Sequence, residues 1–258
     1  MIKNEYPGKF IVIEGLDGSG KSAQVDLLTN FLRSKGKEVI VKSEPTIESE
    51  AGRKIRQILK GGTSAEPMER QQLFVQDRNE HLKNTIIPAL KEGKYIVVSR
   101  YAFSTIAYGT SDGLDMDELV QMNNHFLLPD LTVIIDVSPE ECMRRIEARG
   151  QTIELFEKLE KLKKVDTAYK KLPSMFENIS LVNGEKLIPE VFEEIITIVE
   201  QKVINSTIQQ ITMETEKPEH QTQGAGARPS TESADSALRF APIREDLGLS
   251  AEDRYLIE

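Results

Sequence analysis

The stretch "IVIEGLDGSGKSAQ", Ile11 to Gln24, decides the fold. Its lead-in, "KFIVIEG", is a short apolar run closed by glycine, as a buried strand is. From Lys21 to about Lys35, Val25, Leu28 and Leu32 recur at helical spacing with Leu27 and Phe31 alongside, so a helix follows at once. Between strand and helix, Gly15-Leu16-Asp17-Gly18-Ser19-Gly20-Lys21-Ser22 carries the phosphate-loop pattern in full. Glycines let successive backbone N–H groups turn inward, and the helix points its positive end at the same spot. In that pattern the lysine reaches the β- and γ-phosphates and the serine hydroxyl ligates Mg²⁺. A glycine turn joining strand to helix is the plain alternative; the full motif with both flanks in place argues against it. Asp17 is the oddity, because a carboxylate beside a polyphosphate is unfavourable unless it points away or meets a metal.

Outward from the loop, strands and helices alternate. "KEVIVKS", "YIVVS", "LTVIIDV" and "NISLV" are further strand candidates. Helices are predicted over "AGRKIRQILK", from Glu66 to about Lys91 with Pro88 bending or ending it, over a short Ser104–Tyr108 segment, and over Asp115–Leu128, Pro139–Arg149, Ile153–Lys171 and Pro189–Ile204. The alternation implies an α/β fold, a three-layer sandwich with a five-stranded parallel sheet covered by helices on both faces. Residues 1–205 read as one kinase-like domain. Residues 206–236 are rich in Gly, Pro, Ser, Thr and Glu and read as a disordered linker. Residues 237–258, "ALRFAPIREDLGLSAEDRYLIE", regain apolar side chains and read either as a docking segment for an unknown partner or as a solvated tail.

Composition narrows the class. The 258 residues, 39% of them apolar, suffice for one full-sized domain. The single cysteine, Cys142, excludes an internal disulfide and suits a reducing, cytoplasmic setting. No apolar run approaches membrane-spanning length, and no secretory signal is expected at the N-terminus. A net charge of −9 argues against a nucleic-acid polymer as partner. The phosphate loop by itself does not choose among kinases, GTPases, motors and transport ATPases. No Asn-Lys-x-Asp base-reading segment is present, which disfavours a GTPase and leaves a small-molecule kinase in the lead.

Three stretches bear on the acceptor. In "LFVQDRNEH", Phe74 and Arg78 are spaced i, i+4 and share a helix face. A ring to stack on a base and a guanidinium to bond its edge would make a nucleobase reader; a core phenylalanine and a surface arginine are the plain alternative. In "VVSRYAFSTIAYGT", Arg100 follows a strand at its carboxyl end, where open α/β sheets bind ligands, and is placed for a phosphate. Ser104, Thr105 and Tyr108 lie within little more than a helical turn beyond it. In "CMRRIEARGQTIELFEKLEKLKKVDTAY", Arg145 and Arg149 share a face at a helix end, ahead of a charged stretch suited to a mobile lid. Lid arginines can stabilise a phosphoryl group in transfer; a cation at a helix C-terminus is the alternative.

Together, "EGLDGSGKS", "SEP" followed by "GRKIRQIL", "LFVQDRNEH", "IIPALKEGKYIVVSRYAFSTIAY", "PDLTVIIDVSPEECMRRIEARG" and "VDTAY" resemble the thymidylate kinase family, in that family's order, over about Lys9 to Ile204. The resemblance implies transfer of the γ-phosphoryl of ATP to dTMP with Mg²⁺. The ATP side would be Gly15, Leu16, Asp17, Gly18, Ser19, Gly20, Lys21, Ser22 and Arg145, with Ser22 on the metal. The dTMP side would be Asp17, Phe74, Arg78, Arg100, Ser104, Thr105 and Tyr108. Phe74 would stack on thymine, Arg78 would bond its edge, and Tyr108 would fill the place of a ribose 2′-hydroxyl. Lys21, Arg100, Arg149 and Asp17 would act in the transfer. A homodimer is also implied.

The chain departs from that pattern in several places. Ser99 stands where the family usually has aspartate, and Ser43 where it often has arginine, with Arg53 or Arg56 as candidate replacements for that cation. Gly109 stands where glutamine is frequent. The loop lacks the arginine some members carry, which puts weight on the lid. Another nucleoside or nucleoside-monophosphate kinase, or a nucleotide-binding regulatory protein with little turnover, are the competing expectations.

Overall fold

A computed structural model describes residues 1–62, 64–148 and 155–205 of the chain. The centre is a parallel sheet of five strands: β2 (Lys9–Gly15), β3 (Val39–Ser43), β4 (Tyr95–Ser99), β6 (Leu131–Asp136) and β7 (Ile179–Asn183), in the order β3-β4-β2-β6-β7. The predicted sheet is therefore present. Two two-residue strands, β1 (Ile2–Lys3) and β5 (Leu127–Leu128), pair in a separate parallel ribbon that the sequence does not announce. Nine helices among the described residues surround the sheet: α1 (Lys21–Ser34), α2 (Glu50–Leu59), α3 (Pro67–His81), α4 (Ile87–Lys91), α5 (Ala102–Ser111), α6 (Met116–Asn123), α7 (Pro139–Ala148), α8 (Leu155–Lys171) and α9 (Ile188–Val199).

The strands are apolar on both faces because helices cover both. Ile11 and Ile13 of β2, with Tyr95 and Val97 of β4, pack into the larger core with Leu28 and Leu32 of α1, Phe103 of α5 and Val165 of α8. Phe10 and Val12, with Ile96 and Val98, point to the opposite core with Ile86 and Leu90. This is the period-2 alternation of strand side chains realised on two buried faces.

Four helix expectations need correction, the predicted Pro189–Ile204 helix among them, which is α-helical over Ile188–Val199 and closes with a π-helical turn, Glu200–Ile204. The predicted Glu66–Lys91 helix is interrupted by a π-helical turn, Leu82–Ile86, between α3 and α4. Pro88 has no N–H to give the carbonyl of Asn84 and its ring crowds that carbonyl, and the wider turn absorbs both. The predicted Ser104–Tyr108 segment is a full helix, α5, because its residues bury almost completely and packing outweighs modest propensity. The predicted Asp115–Leu128 helix stops at Asn123, and Leu127–Leu128 is drawn into the ribbon with β1. The linker and tail, residues 206–258, lie outside the described residues, as does Arg149.

β2 is the middle strand, with β4 on one side and β6 on the other. The chain crosses from β2 past β4 to the edge strand β3, and later from β4 past β2 to β6. Crossover direction thus reverses around β2 and β4, and the crevice at their carboxyl ends is where open α/β sheets hold ligands.

Candidate active site

The loop after β2 has the backbone of a phosphate cradle. Gly15, Gly18 and Gly20 have φ of 144°, 84° and 93°, a region closed to most side chains. α1 begins at Lys21 behind an N-cap glycine, Gly20, with no side-chain cap, so its leading N–H groups remain directed at the loop. The Ser19 hydroxyl in the same loop is buried without a hydrogen-bond partner. At Gly18 a Cβ would stand 2.7 Å from the Cys142 carbonyl oxygen and 3.0 Å from Ile146. α7 therefore lies against the loop and leaves no room there for an arginine.

Lys21 is 1% exposed and donates to the Leu16 carbonyl at 2.7 Å, which folds its ammonium over the loop. Burial, with Arg100 nearby, lowers its pKa from the usual lysine range to about 7. Arg145 reaches the same loop from α7: it donates to the Gly184 carbonyl at 3.0 Å and to the Ser19 carbonyl at 3.5 Å, while Glu141 holds its Nε at 2.7 Å.

Arg100 sits one residue beyond β4 and is the only described non-glycine residue with positive φ, 66°. Such a conformation persists only where surroundings impose it. Its N–H donates to the Ile13 carbonyl at 3.0 Å, which extends the β2–β4 pairing by one rung. Its guanidinium donates to Ser104 Oγ at 3.0 Å and to Asp17 Oδ1, and lies 5.1 Å from the centre of the Tyr108 ring. Burial alone would raise the Asp17 carboxyl; Arg100, then Lys21 and Lys158, outweigh it, and it lies below the usual aspartate range. The acid in the loop thus turns away from the cradle and toward the acceptor side.

Beneath Arg100 is a residue the sequence reading passed over. Glu14, the fully buried acid at the end of β2, accepts from the Tyr101 N–H at 2.8 Å, the Ser104 N–H at 3.1 Å, Ser104 Oγ at 2.5 Å and the Tyr169 hydroxyl at 2.9 Å. A strand residue thereby caps α5, satisfies its first N–H groups, and fixes the turn that carries Arg100. Burial pushes the Glu14 carboxyl up, and the Ser104 hydrogen bond partly offsets it. The signal was a lone carboxylate in an apolar strand, which has to find donors once buried. Tyr169 and Lys158, both on α8, were missed for the opposite reason: nothing in a charged helix marks which residues turn inward.

Ser104 and Thr105, adjacent in sequence, serve different walls. Ser104 belongs under Arg100, whereas Thr105 Oγ1 accepts from Arg78 at 2.7 Å across the α3–α5 seam. Arg78 modifies an expectation. Its guanidinium is fully buried and bonded at all three nitrogens, to Glu44 at 3.0 Å, Asn123 at 2.6 Å and Thr105, between the rings of Tyr101 and Phe126. All three Arg78 nitrogens are thus already engaged within the protein, so the guanidinium does not stand open as a first partner for a base edge. Asp77, its neighbour, ties Thr46 and Ser49 of the loop after β3 to α3. Phe74 is half-buried beside Ala51, Ile55 and Leu73, leaving part of its ring available.

The departures also find places. Ser43 and Ser99 are register partners on β3 and β4, so the two changes are neighbours, and Ser99 Oγ is buried without a partner. Arg56 donates to the Pro45 carbonyl at 2.6 Å and Arg53 to the Glu48 carbonyl at 2.7 Å; both hold the loop after β3. No group of three or more His, Cys, Asp or Glu side chains gathers into a metal cage among the described residues. No described helix is long and apolar enough to cross a membrane.

Comparison with known proteins gives a consistent picture. A family model described as thymidylate kinase matches residues 13–195. A Pyrococcus horikoshii protein described as "Probable thymidylate kinase" is 41% identical over 185 residues, which cover 68% of this chain and 88% of that one. A Desulfotalea psychrophila protein described as "Thymidylate kinase" is 42% identical over 167 residues, covering 64% and 82% respectively. A Leptospira borgpetersenii protein of the same description is 36% identical over 165 residues, covering 63% and 80%.

Proposed function

This chain belongs to the thymidylate kinase family, and from that premise we propose that it transfers the γ-phosphoryl of ATP to dTMP, giving dTDP and ADP. The observation that carries the proposal is the contact between the two halves of the site: Asp17, from the loop that cradles ATP, pairs with Arg100, the cation positioned for the acceptor phosphate.

A phosphate oxygen of dTMP attacks the γ-phosphorus, the bond to the β-bridging oxygen breaks, and ADP leaves with that electron pair. Catalysis is chiefly positioning and charge neutralisation. Loop N–H groups and Lys21 hold the β- and γ-phosphates. Arg100 holds the dTMP phosphate in line, and the acceptor phosphate and Asp17 share its guanidinium. Ser22 would hold the Mg²⁺ that ATP brings, and the ion would supply neutralisation of the charge that develops on the phosphates. Arg145 braces the loop from the ATP side, and Arg149 is assigned to the lid. Phe74 stacks on thymine, Arg78 orients the Thr105 hydroxyl toward the base, and Tyr108 stands against a 2′-hydroxyl. Residues 1–205 form the kinase domain, which acts in the cytoplasm as a homodimer, and residues 206–236 link it to a 237–258 docking segment.

A coupled assay of ADP release with ATP and Mg²⁺ across dTMP, dUMP, dCMP, UMP and thymidine tests this. The expected result is preference for dTMP. Preference for thymidine would remove Arg100 as a phosphate clamp, and ligand-induced thermal stabilisation without product would make the protein a nucleotide binder.

A further inference from the structure

We infer that Gln71 reads the edge of the acceptor base. This rests on the dTMP kinase assignment and adds a residue absent from it. Gln71 lies on α3, is 1% exposed, and its Oε1 has no hydrogen-bond partner. A buried amide oxygen without a donor costs stability, so native proteins keep few of them, and each needs a reason.

Its position supplies one. Gln71, Phe74 and Arg78 stand at i, i+3 and i+7 on α3, along one face. Arg78 meets Thr105 across the seam with α5, and Gln71 meets Gly109, one turn further along α5. A Cβ on Gly109 would stand 3.0 Å from Gln71 Nε2 and 3.1 Å from its Cδ. The α3 amide therefore fills the room that a side chain at position 109 would need. This chain has glycine at position 109 of α5, and the amide in that space comes from the facing helix.

The chemistry fits a thymine or uracil edge, which presents O2, N3–H and O4. N3–H is the donor that Gln71 Oε1 lacks. The Thr105 hydroxyl accepts from Arg78 and so keeps its own proton to give to a carbonyl oxygen. Cytosine has no proton on N3 and an amino group at C4, so it leaves Oε1 without that donor. A site built to bond a ring N–H discriminates against the ring lacking it.

Gln71→Met in the full chain tests the inference, being close in volume and unable to hydrogen-bond. We expect the KM for dTMP to rise about 10-fold and the dTMP-over-dCMP ratio of kcat/KM to fall about 10-fold, the loss of one hydrogen bond. The KM for ATP stays within about 2-fold, and Tm equals or exceeds that of the wild type, because the deleted oxygen had no partner. A lower Tm with unchanged dTMP KM and unchanged base ratio would make Gln71 a packing residue and overturn the inference. Gln71→Ala, followed through the dTMP-dependent rise in Tm, gives the same comparison without turnover. A wild-type protein that does not phosphorylate dTMP overturns the assignment itself, and that is read without either variant.

Discussion

Asp17 and Arg100, 83 residues apart in the chain, are joined side chain to side chain across the carboxyl ends of β2 and β4. The pairing explains how a phosphate loop tolerates an acid: the carboxylate is neutralised by a cation of the acceptor side and lies outside the cradle. It also leaves the Arg100 guanidinium already oriented, with Ser104 and Tyr108 holding its other faces, as the proposed role of clamping the acceptor phosphate requires.

Asp17→Asn should therefore separate chemistry from ATP binding. We expect kcat to fall about 10²- to 10³-fold, the scale for losing one preorganised polar group, with the Kd for ATP within about 3-fold. Steady-state kinetics with isothermal titration check this. Loss of ATP affinity with unchanged kcat would make Asp17 a part of the ATP cradle only.

Lys21 carries a pH signature. With a pKa of about 7 it is largely neutral at pH 8, and a polyphosphate beside it favours the charged form. ATP binding at pH 8 should draw a proton from solution, and at pH 6 should not. Titration calorimetry in two buffers of different ionisation enthalpy reads the uptake directly. In folding the sign is opposite to that of a lysine gaining a partner. Between pH 7 and 10.5 the unfolded chain binds more protons at Lys21 than the folded one, so this group's contribution to stability rises with pH through that window. Lys21→Met should abolish turnover, keep the fold, and flatten that part of the Tm profile.

Glu14, fully buried, holds Arg100 through Ser104 of α5. Glu14→Ala leaves two N–H groups and one hydroxyl short of an acceptor, since Ser104 and Tyr169 still bond each other, which costs roughly 3 kcal/mol or more at about 1 kcal/mol or more per buried group. It should raise the KM for dTMP more than that for ATP. Tyr169→Phe removes one bond to Glu14 and one shared with Ser104 Oγ and should cost about 1–2 kcal/mol with a smaller shift in the same direction. Denaturant unfolding and kinetics with each substrate varied test both.

Ser99→Asp places a carboxylate in a buried position whose present oxygen has no partner. Alone it should lower Tm while reducing the Mg²⁺ concentration needed for half-maximal rate. Because Ser43 is its register partner, Ser43→Arg added to Ser99→Asp should recover stability beyond the sum of the single changes, a favourable coupling of about 0.5–3 kcal/mol. Additive effects would show that the two positions are independent.

Gly18→Arg should abolish ATP binding. Its φ of 84° disfavours any side chain, and the Cys142 carbonyl of α7 lies where its Cβ would go. An arginine at position 18 is excluded by packing, and among the described residues α7 supplies a cation to the loop through Arg145.

The amino-acid sequence by itself determined the elements whose physics is local. A strand–glycine–helix run that binds phosphate can be read from Ile11 to Gln24, because φ > 0, an uncapped helix start and a lysine one residue on are all properties of neighbours. Alternating apolar runs likewise announced a parallel sheet buried on both faces. Tertiary structure alone decided what side chains on different elements do to one another. Arg78 has the spacing of a base reader, yet Glu44, Asn123 and Thr105 converge on it from three other segments. Gly109 looked like a loss until Gln71 was found filling its space. Ser43 and Ser99 looked like two departures until register made them one. Asp17 was an anomaly in a phosphate loop until β4 brought Arg100 beside it. In each case the deciding term is a contact between residues tens of positions apart, set by strand order and helix packing, and such contacts leave no period or motif in the chain.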